Sequence, residues 1–302
     1  MKRDFLTFWE LSQKEVESIL ERAADLKTVK AQHEKPLSGK SVGLLFEKSS
    51  TRTRVSFEVG IYQLGGQPVY IRGGDSQMGR GESIGDTARV LSRYLDAVVI
   101  RTYAQATLEE FAAHCTKPVI NGLSDTHHPC QVLADLLTIK EKKGTLQGVK
   151  LTYLGDSNNV TNSLIEASIR MGIVLSIASP AGYEPEPSMM KKVSDIGCQD
   201  IKICNDPIEA VKHADVVYTD VWISMGDKDT DQQKKKDALR PFQINDALLK
   251  YANPDVTVLH CLPAHRGEEI TGSVIDSPMS AVFDQAENRL HTQKALLEML
   301  IG

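Results

Sequence analysis

The sequence predicts an α/β protein of two doubly wound domains, each a parallel sheet flanked by helices. Three observations carry this. Short, continuous apolar runs alternate with amphipathic stretches, the pattern of strands buried on both faces. The alternation starts afresh near Val149, after a charged turn stopped by Gly144. A chain of 302 residues also suits two domains, on a soft scale of about 150 residues each. The expected division is residues 1–144 and 145–302, with the last helix packing back on the first domain.

The first helix is announced by Ser12 with Glu15 three residues later, a capping box, followed by Val16, Ile19, Leu20, Ala23 and Leu26 on one face. Strands are expected at Ser41 to Phe46, Pro68 to Ile71, Ala97 to Ile100 and Pro118 to Asn121. Helices are expected from about Thr53, over Ser83 to Leu95 and over Leu108 to Cys115. Pro129 suits the first position of a helix running to Lys143, which bridges the domains. The second half predicts strands from Val149, then at Val174 to Ala178, Ile201 to Cys204, Val216 to Thr219, Val256 to Cys261 and Ala281 to Asp284. An apolar-faced helix over Ala295 to Ile301 closes the chain.

Composition narrows the class. With 41% hydrophobic residues, 25% charged residues and a net charge of -5, nothing favours a nucleic-acid partner. The run Lys234-Lys235-Lys236 reads as a solvated loop. Five cysteines without CxxC spacing argue against a disulfide framework or structural zinc. The start has no signal-peptide core, and no apolar run approaches the roughly 18 residues of a membrane span. A soluble, cytoplasmic protein is expected.

In doubly wound sheets ligands bind beyond the carboxyl ends of the strands, so the polar loops there hold the candidates. Ser50-Thr51-Arg52-Thr53-Arg54 falls at a strand-to-helix turn. A helix start offers unpaired N–H groups and a positive dipole end, and the pentad adds three hydroxyls and two guanidiniums. Guanidinium forks match phosphate, so a small, highly charged anion is the expected occupant. Arg101 follows the third strand as a second anion or carbonyl ligand. His128 and Gln131 flank Pro129 at a helix mouth and offer neutral hydrogen bonds. The glycine-rich stretch from Gly73 to Gly81 reads as a mobile loop. In the second half, Gly155-Asp156-Ser157-Asn158-Asn159 lacks the G-x-G-x-x-G spacing of a dinucleotide site, and asparagine suits an amino-acid head group better. Asp220, with Asn159, suits an α-amino group. Cys261 stands at a strand end beside His260, and Arg289 follows the expected last strand.

Taken together, the pentad, His128-Pro129-Cys130-Gln131, Asp220 with Ser224-Met225-Gly226, and His260-Cys261-Leu262-Pro263 resemble the ornithine carbamoyltransferases, end to end and in order. The loop from Gly73 to Gly81 lacks the lysine that aspartate carbamoyltransferases place there. The resemblance implies transfer of the carbamoyl group of carbamoyl phosphate to the δ-amine of L-ornithine, giving L-citrulline and phosphate. It implies a carbamoyl phosphate site of Ser50, Thr51, Arg52, Thr53, Gln77, Arg101, His128 and Gln131. It implies an ornithine site of Asn159, Asp220, Ser224, Met225, Cys261 and Leu262. The implied catalytic group is Arg52, Arg101, His128, Cys261 and Arg289, with no cofactor and no metal. A homotrimer, or a multiple of trimers, is implied, as is a setting in arginine biosynthesis or, by the same active site, arginine breakdown. The alternatives are a paralogue using putrescine or N-acylated ornithine, and a two-domain protein that binds these ligands without turnover.

Overall fold

The computed structural model describes residues 2–28, 34–75, 81–223 and 232–302. Gln77 and Ser224-Met225-Gly226 lie outside the described residues. The chain divides into two compact units: Met1–Leu137 with Glu287–Gly302, and Thr138–Ala286.

The first unit is built on β1 (Ser41–Phe46), β2 (Gln67–Arg72), β3 (Ala97–Arg101) and β4 (Val119–Leu123), parallel throughout in the order β2-β1-β3-β4. Its helices are α1 (Gln13–Leu26), α2 (Thr51–Gln63), α3 (Ile84–Leu91), α4 (Gln105–His114) and the start of α5 (Pro129–Lys143). Ser12 caps α1 through the predicted capping box, and the five predicted residues form its buried face. Leu45, Val98 and Ile100 from the sheet pack with Ala88, Leu108 and Phe111 from α3 and α4.

The second unit carries β5 (Lys150–Leu154), β6 (Val174–Ala178), β7 (Ile201–Cys204), β8 (Val216–Thr219) and β9 (Thr257–His260), parallel in the order β7-β6-β5-β8-β9. Around it run α6 (Asn159–Met171), α7 (Pro187–Ile196), α8 (Pro207–Val211), α9 (Gln232–Leu239), α10 (Asp246–Leu249) and α11 (Gly272–Ile275). In each sheet the strand order reverses beside the unit's first strand, between β1 and β3 and between β5 and β8. Chain leaving those strands in opposite directions opens a crevice at their carboxyl ends, where a ligand can lie against both loops.

Two expectations are corrected. Ala281 to Asp284 is not a strand: pairing ends at a single Val258–Ser280 bridge, and α12 (Val282–Ile301) begins immediately. Val282 is buried while Phe283 is exposed, so the short apolar run is the first turn of a helix. The predicted closing helix is therefore much longer than Ala295 to Ile301. The lysine run is no solvated loop either. It lies on α9, with Lys235 paired to Asp156 at 2.7 Å and Lys236 to Glu268 at 2.6 Å. Both acidic partners are remote in sequence, which is why composition alone suggested solvation. Among the described residues no helix is long and apolar enough to cross a membrane.

From Glu287 onward α12 packs on the first unit. Arg22 Nε meets Glu298 at 2.9 Å, and Lys294 Nζ donates to Leu26 O at 3.3 Å and to Gln63 Oε1 at 3.0 Å. Leu296 and Leu297 are fully buried. Truncating a leucine in such a place removes its transfer energy and leaves a cavity. Leu296→Ala is expected to cost roughly 2–5 kcal/mol in urea unfolding, and a loss of less than about 1 kcal/mol would contradict this packing.

Candidate functional site

The first cluster grows out of the turn between β1 and α2. Ser50 is extended, with φ -159° and ψ 120°, and its Oγ accepts the Thr53 N–H at 3.3 Å, so the hydroxyl-rich pentad starts the helix as expected. The turn is anchored to the neighbouring loops. Glu47 N–H donates to Arg101 O at 2.8 Å, Thr102 Oγ1 donates to Glu47 Oε2, and Lys48 pairs with Asp125 while lying 4.2 Å from the centre of the Tyr103 ring. The two pentad arginines part company. Arg54 bonds Glu58 one turn on, at 2.9 Å, and lies over the Tyr70 ring at 3.7 Å.

Arg101 is the last residue of β3 and is buried. Beside it the β3–β4 register skips Gly122, so Ile100 faces Asn121 and Arg101 faces Leu123. A side chain at Gly122 would put its Cβ 3.1 Å from Ile100 O, tighter than a comfortable contact. His128 precedes α5 and Gln131 lies in its first turn, both buried. Arg289 comes from α12, not from a strand end: Nη1 donates to Gln131 Oε1 at 2.6 Å and Nη2 to Thr53 Oγ1 at 3.2 Å. Gln131 Nε2 in turn donates to Asp135 Oδ1 at 2.9 Å. Asp135 carried no sequence signal, being the one acid in the apolar first part of α5. Burial, reinforced by the charges of Arg289, Arg101 and Arg52, holds the His128 imidazole well below its ordinary range. That imidazole is neutral and sits within a ring of guanidiniums.

The second cluster stands at the reversal point of the other sheet. Gly155, at φ 126°, turns the chain out of β5, a conformation that favours glycine. Asn158 caps α6, its Oδ1 accepting from Val160 N at 2.9 Å and Thr161 N at 3.3 Å. Asp220, just after β8, is buried; its Oδ2 accepts from Asn158 Nδ2 at 2.7 Å, and its Oδ1 from Val221 N at 2.8 Å and from the Cys261 thiol at 2.7 Å. Asn158 is thus the asparagine that meets Asp220; Asn159, singled out from the sequence, is the half-buried first residue of α6. The sequence showed two adjacent asparagines, and only cap geometry separates their roles. Leu262 takes a left-handed conformation, φ 57°, strained for a branched residue. Its N–H donates to His260 Nδ1 at 2.8 Å, while His260 Nε2 bonds the fully buried Glu269 at 3.0 Å.

Two groups among the described residues bring metal-ligand atoms within 4.8 Å: Asp220, His260 and Cys261, and His265, Glu268 and Glu269. In the first, both His260 nitrogens are committed to the bonds just given. In the second, Glu268 Oε1 is held by Lys236 and Glu269 Oε1 by His260 and the His265 N–H.

Fold and loops define a class: a doubly wound α/β protein of two parallel-sheet units, each carrying convergent polar side chains at its point of strand reversal. Residues 3–141 match the carbamoyl-P binding domain of the aspartate/ornithine carbamoyltransferases, and residues 147–300 match their Asp/Orn binding domain. The chain is 51% identical over 306 residues to a Syntrophus aciditrophicus protein named ornithine carbamoyltransferase, covering 100% of both. It superimposes on the ornithine carbamoyltransferase of Pyrococcus furiosus with a TM-score of 0.94 at 49% identity, covering 99% of this chain and 97% of that one. For an anabolic ornithine carbamoyltransferase from Campylobacter jejuni the TM-score is 0.90 at 39% identity, covering 99% of each. The chain belongs to the aspartate/ornithine carbamoyltransferase family.

The neutral His128 has a consequence for stability. Unfolded, it titrates at its ordinary 6.5; folded, well below. Below that value the unfolded chain takes up a proton that the folded chain refuses, so stability falls on acidification. Urea unfolding at about pH 7.5 and about pH 5.5 should show a larger acid loss for the parent than for His128→Gln; equal losses would contradict a buried neutral imidazole.

Proposed function

We propose that the protein is an ornithine carbamoyltransferase, joining the carbamoyl group of carbamoyl phosphate to the δ-amine of L-ornithine and releasing L-citrulline and phosphate. The observation that carries the ornithine half is the Asp220 carboxylate, oriented by Asn158, the Val221 N–H and the Cys261 thiol. Such a carboxylate is built to hold an α-ammonium group. N-acylation removes the α-amino charge that Asp220 would hold, and putrescine lacks the α-carboxylate that Asn159 can meet with a donor, so the two together favour free ornithine. The domains are taken as 1–144 for carbamoyl phosphate and 145–302 for ornithine.

On this reading Ser50, Thr51, Arg52, Thr53, Gln77, Arg101, His128 and Gln131 bind carbamoyl phosphate. The N–H groups at the start of α2 and the Arg52 guanidinium take the phosphate. Arg52, Arg101 and neutral His128 stabilise charge on the carbamoyl oxygen as the amine attacks, and Arg52 with the hydroxyls accepts the charge passing to the departing phosphate. Arg289, held against Gln131 and Thr53, belongs with this group. Asn159, Asp220, Ser224, Met225, Cys261 and Leu262 bind ornithine. The Cys261 sulfur, its S–H given to Asp220, can accept an N–H of the neutral δ-amine and orient it, and the proton released on attack passes to the departing phosphate. The chemistry calls for no cofactor and no metal.

The reading extends to a cytoplasmic homotrimer. Val55, Val59 and Tyr62 form an exposed row at helical spacing on α2, and exposed Val69 stands on the edge strand β2. Apolar side chains gathered this way suit contact with another copy. The anabolic relative from Campylobacter jejuni supports a setting in arginine biosynthesis.

The deciding experiment incubates the enzyme and carbamoyl phosphate with L-ornithine, putrescine, N-acetylornithine or L-aspartate, each read for its own carbamoylated product. Strong preference for L-ornithine is expected; product from another amine alone would overturn the Asp220 assignment, and none from any would leave a binding protein. Arg52→Ala should lower kcat by roughly 100-fold or more with little change in the KM for ornithine, and normal turnover would refute its role. Light scattering should give a trimer or a multiple of it, reduced to smaller species by Tyr62→Asp; a monomeric parent would sink the trimer.

A further inference from the structure

Arg289 and Gln293 are four residues apart on α12, so their side chains lie side by side on one helix face. Both are almost fully buried, at 3% and 1% exposure. The Gln293 amide is satisfied in one orientation: its nitrogen donates to Ser56 Oγ at 2.7 Å, and its oxygen accepts from Arg289 Nε and Nη2, each at 3.1 Å. Ser56 passes the bond on, its hydroxyl donating to Thr53 O at 3.2 Å. A chain of hydrogen bonds therefore runs from the Arg289 guanidinium through Gln293 and Ser56 to the first turn of α2. From the other edge of the same guanidinium it runs through Gln131 Oε1, at 2.6 Å, to Asp135 Oδ1, at 2.9 Å.

Each member sets the next. Asp135 takes only donors, which turns the Gln131 oxygen toward Arg289. The Gln293 oxygen receives two guanidinium N–H groups and fixes the plane of the fork. Without it the guanidinium keeps bonds to Gln131 and Thr53 through its Nη atoms, while Nε and Nη2 lose the Gln293 oxygen they share.

We propose that Gln293 is a positioning residue for the first unit's site: it aims the Arg289 guanidinium and ties it through Ser56 to the α2 turn. The proposal rests on the carbamoyl phosphate reading of that unit. Gln293 has no part in binding substrate itself. Its contribution reaches the reaction through Arg289.

Two variants and two readouts test this. Gln293→Leu removes the acceptor at similar volume, whereas Gln293→Glu keeps an oxygen facing Arg289 and loses only the donation to Ser56. In citrulline formation, Gln293→Leu should lower kcat roughly 10- to 100-fold, as displacement of a reacting group by about 1 Å does, with the KM for ornithine unchanged. Gln293→Glu should recover most of the lost kcat while raising the KM for carbamoyl phosphate, because it adds negative charge near the anion. Independently of turnover, the Arg289 Nε–H resonance, assigned by its loss in Arg289→Lys, should be sharp and slowly exchanging in the parent and in Gln293→Glu. It should be broadened or lost in Gln293→Leu. A parental resonance and kcat in Gln293→Leu would overturn the proposal, as would equal damage by Glu and Leu. A parent that makes no citrulline would end the function reading, and the resonance alone would then decide the role of Gln293.

Discussion

Concentrated positive charge around a buried neutral imidazole is the constraint on which the first unit turns. Arg52, Arg101 and Arg289 all press on His128, and burial acts in the same direction. Arg101 and Arg289, both buried, repel and lose hydration while Arg52 stays exposed at the α2 start, and such a group persists when an anion completes it or dipoles compensate it. The α2 start supplies dipoles, and the Gln131, Thr53 and Gln293 oxygens receive the guanidinium donors. On the carbamoyl phosphate reading the arrangement is prepared for a doubly charged ligand before one arrives, which is how preorganised sites avoid paying for rearrangement during reaction.

The second unit solves the opposite problem. Its central group is a carboxylate, and Asn158, Val221 and Cys261 all donate to it. The His260–Glu269 pair and the Leu262 N–H fix the backbone on either side of Cys261, so the thiol is presented by a loop whose own strain is held down by buried bonds. An ammonium group meeting this carboxylate gains a partner already oriented.

How legible this was depends on the range of the interactions involved. Strands buried on both faces announce themselves by continuous apolar runs, so β1 and β8 lie where the sequence put them, residue for residue, and so do β6 and the partly exposed edge strand β7. The start of α1, with its Ser12 capping box, was equally plain, whereas α2 begins at Thr51, two residues before the expected Thr53. The failures share another cause. Ala281 to Asp284 has a strand's composition, and only its place after the Val258–Ser280 bridge makes it the first turn of α12. The lysines of α9 find acids dozens of residues away. Arg289 reaches Thr53 across more than two hundred positions of chain, a separation at which no local pattern exists to be read.

The two units show why one topology serves two ligands. In both, the first strand leads into a helix at the reversal point, yet the helix starts differ in what they leave unbonded. Ser50 takes the Thr53 N–H with a single hydroxyl, and the N–H groups of Thr51 and Arg52 have no place in the intrahelical ladder. On the proposed reading they serve the anion, with the helix dipole behind them. Asn158 instead accepts from both Val160 and Thr161, donates its own N–H to Thr161 Oγ1 at 3.2 Å, and spends its amide nitrogen on Asp220. At that helix start two of the free N–H groups are taken by the cap itself, and a carboxylate stands beside it. On the proposed reading the cap adds to what the neighbouring side chains set, guanidiniums in the first unit and the Asp220 carboxylate in the second, so specificity resides in a few loop residues while the sheets fix only where those loops stand.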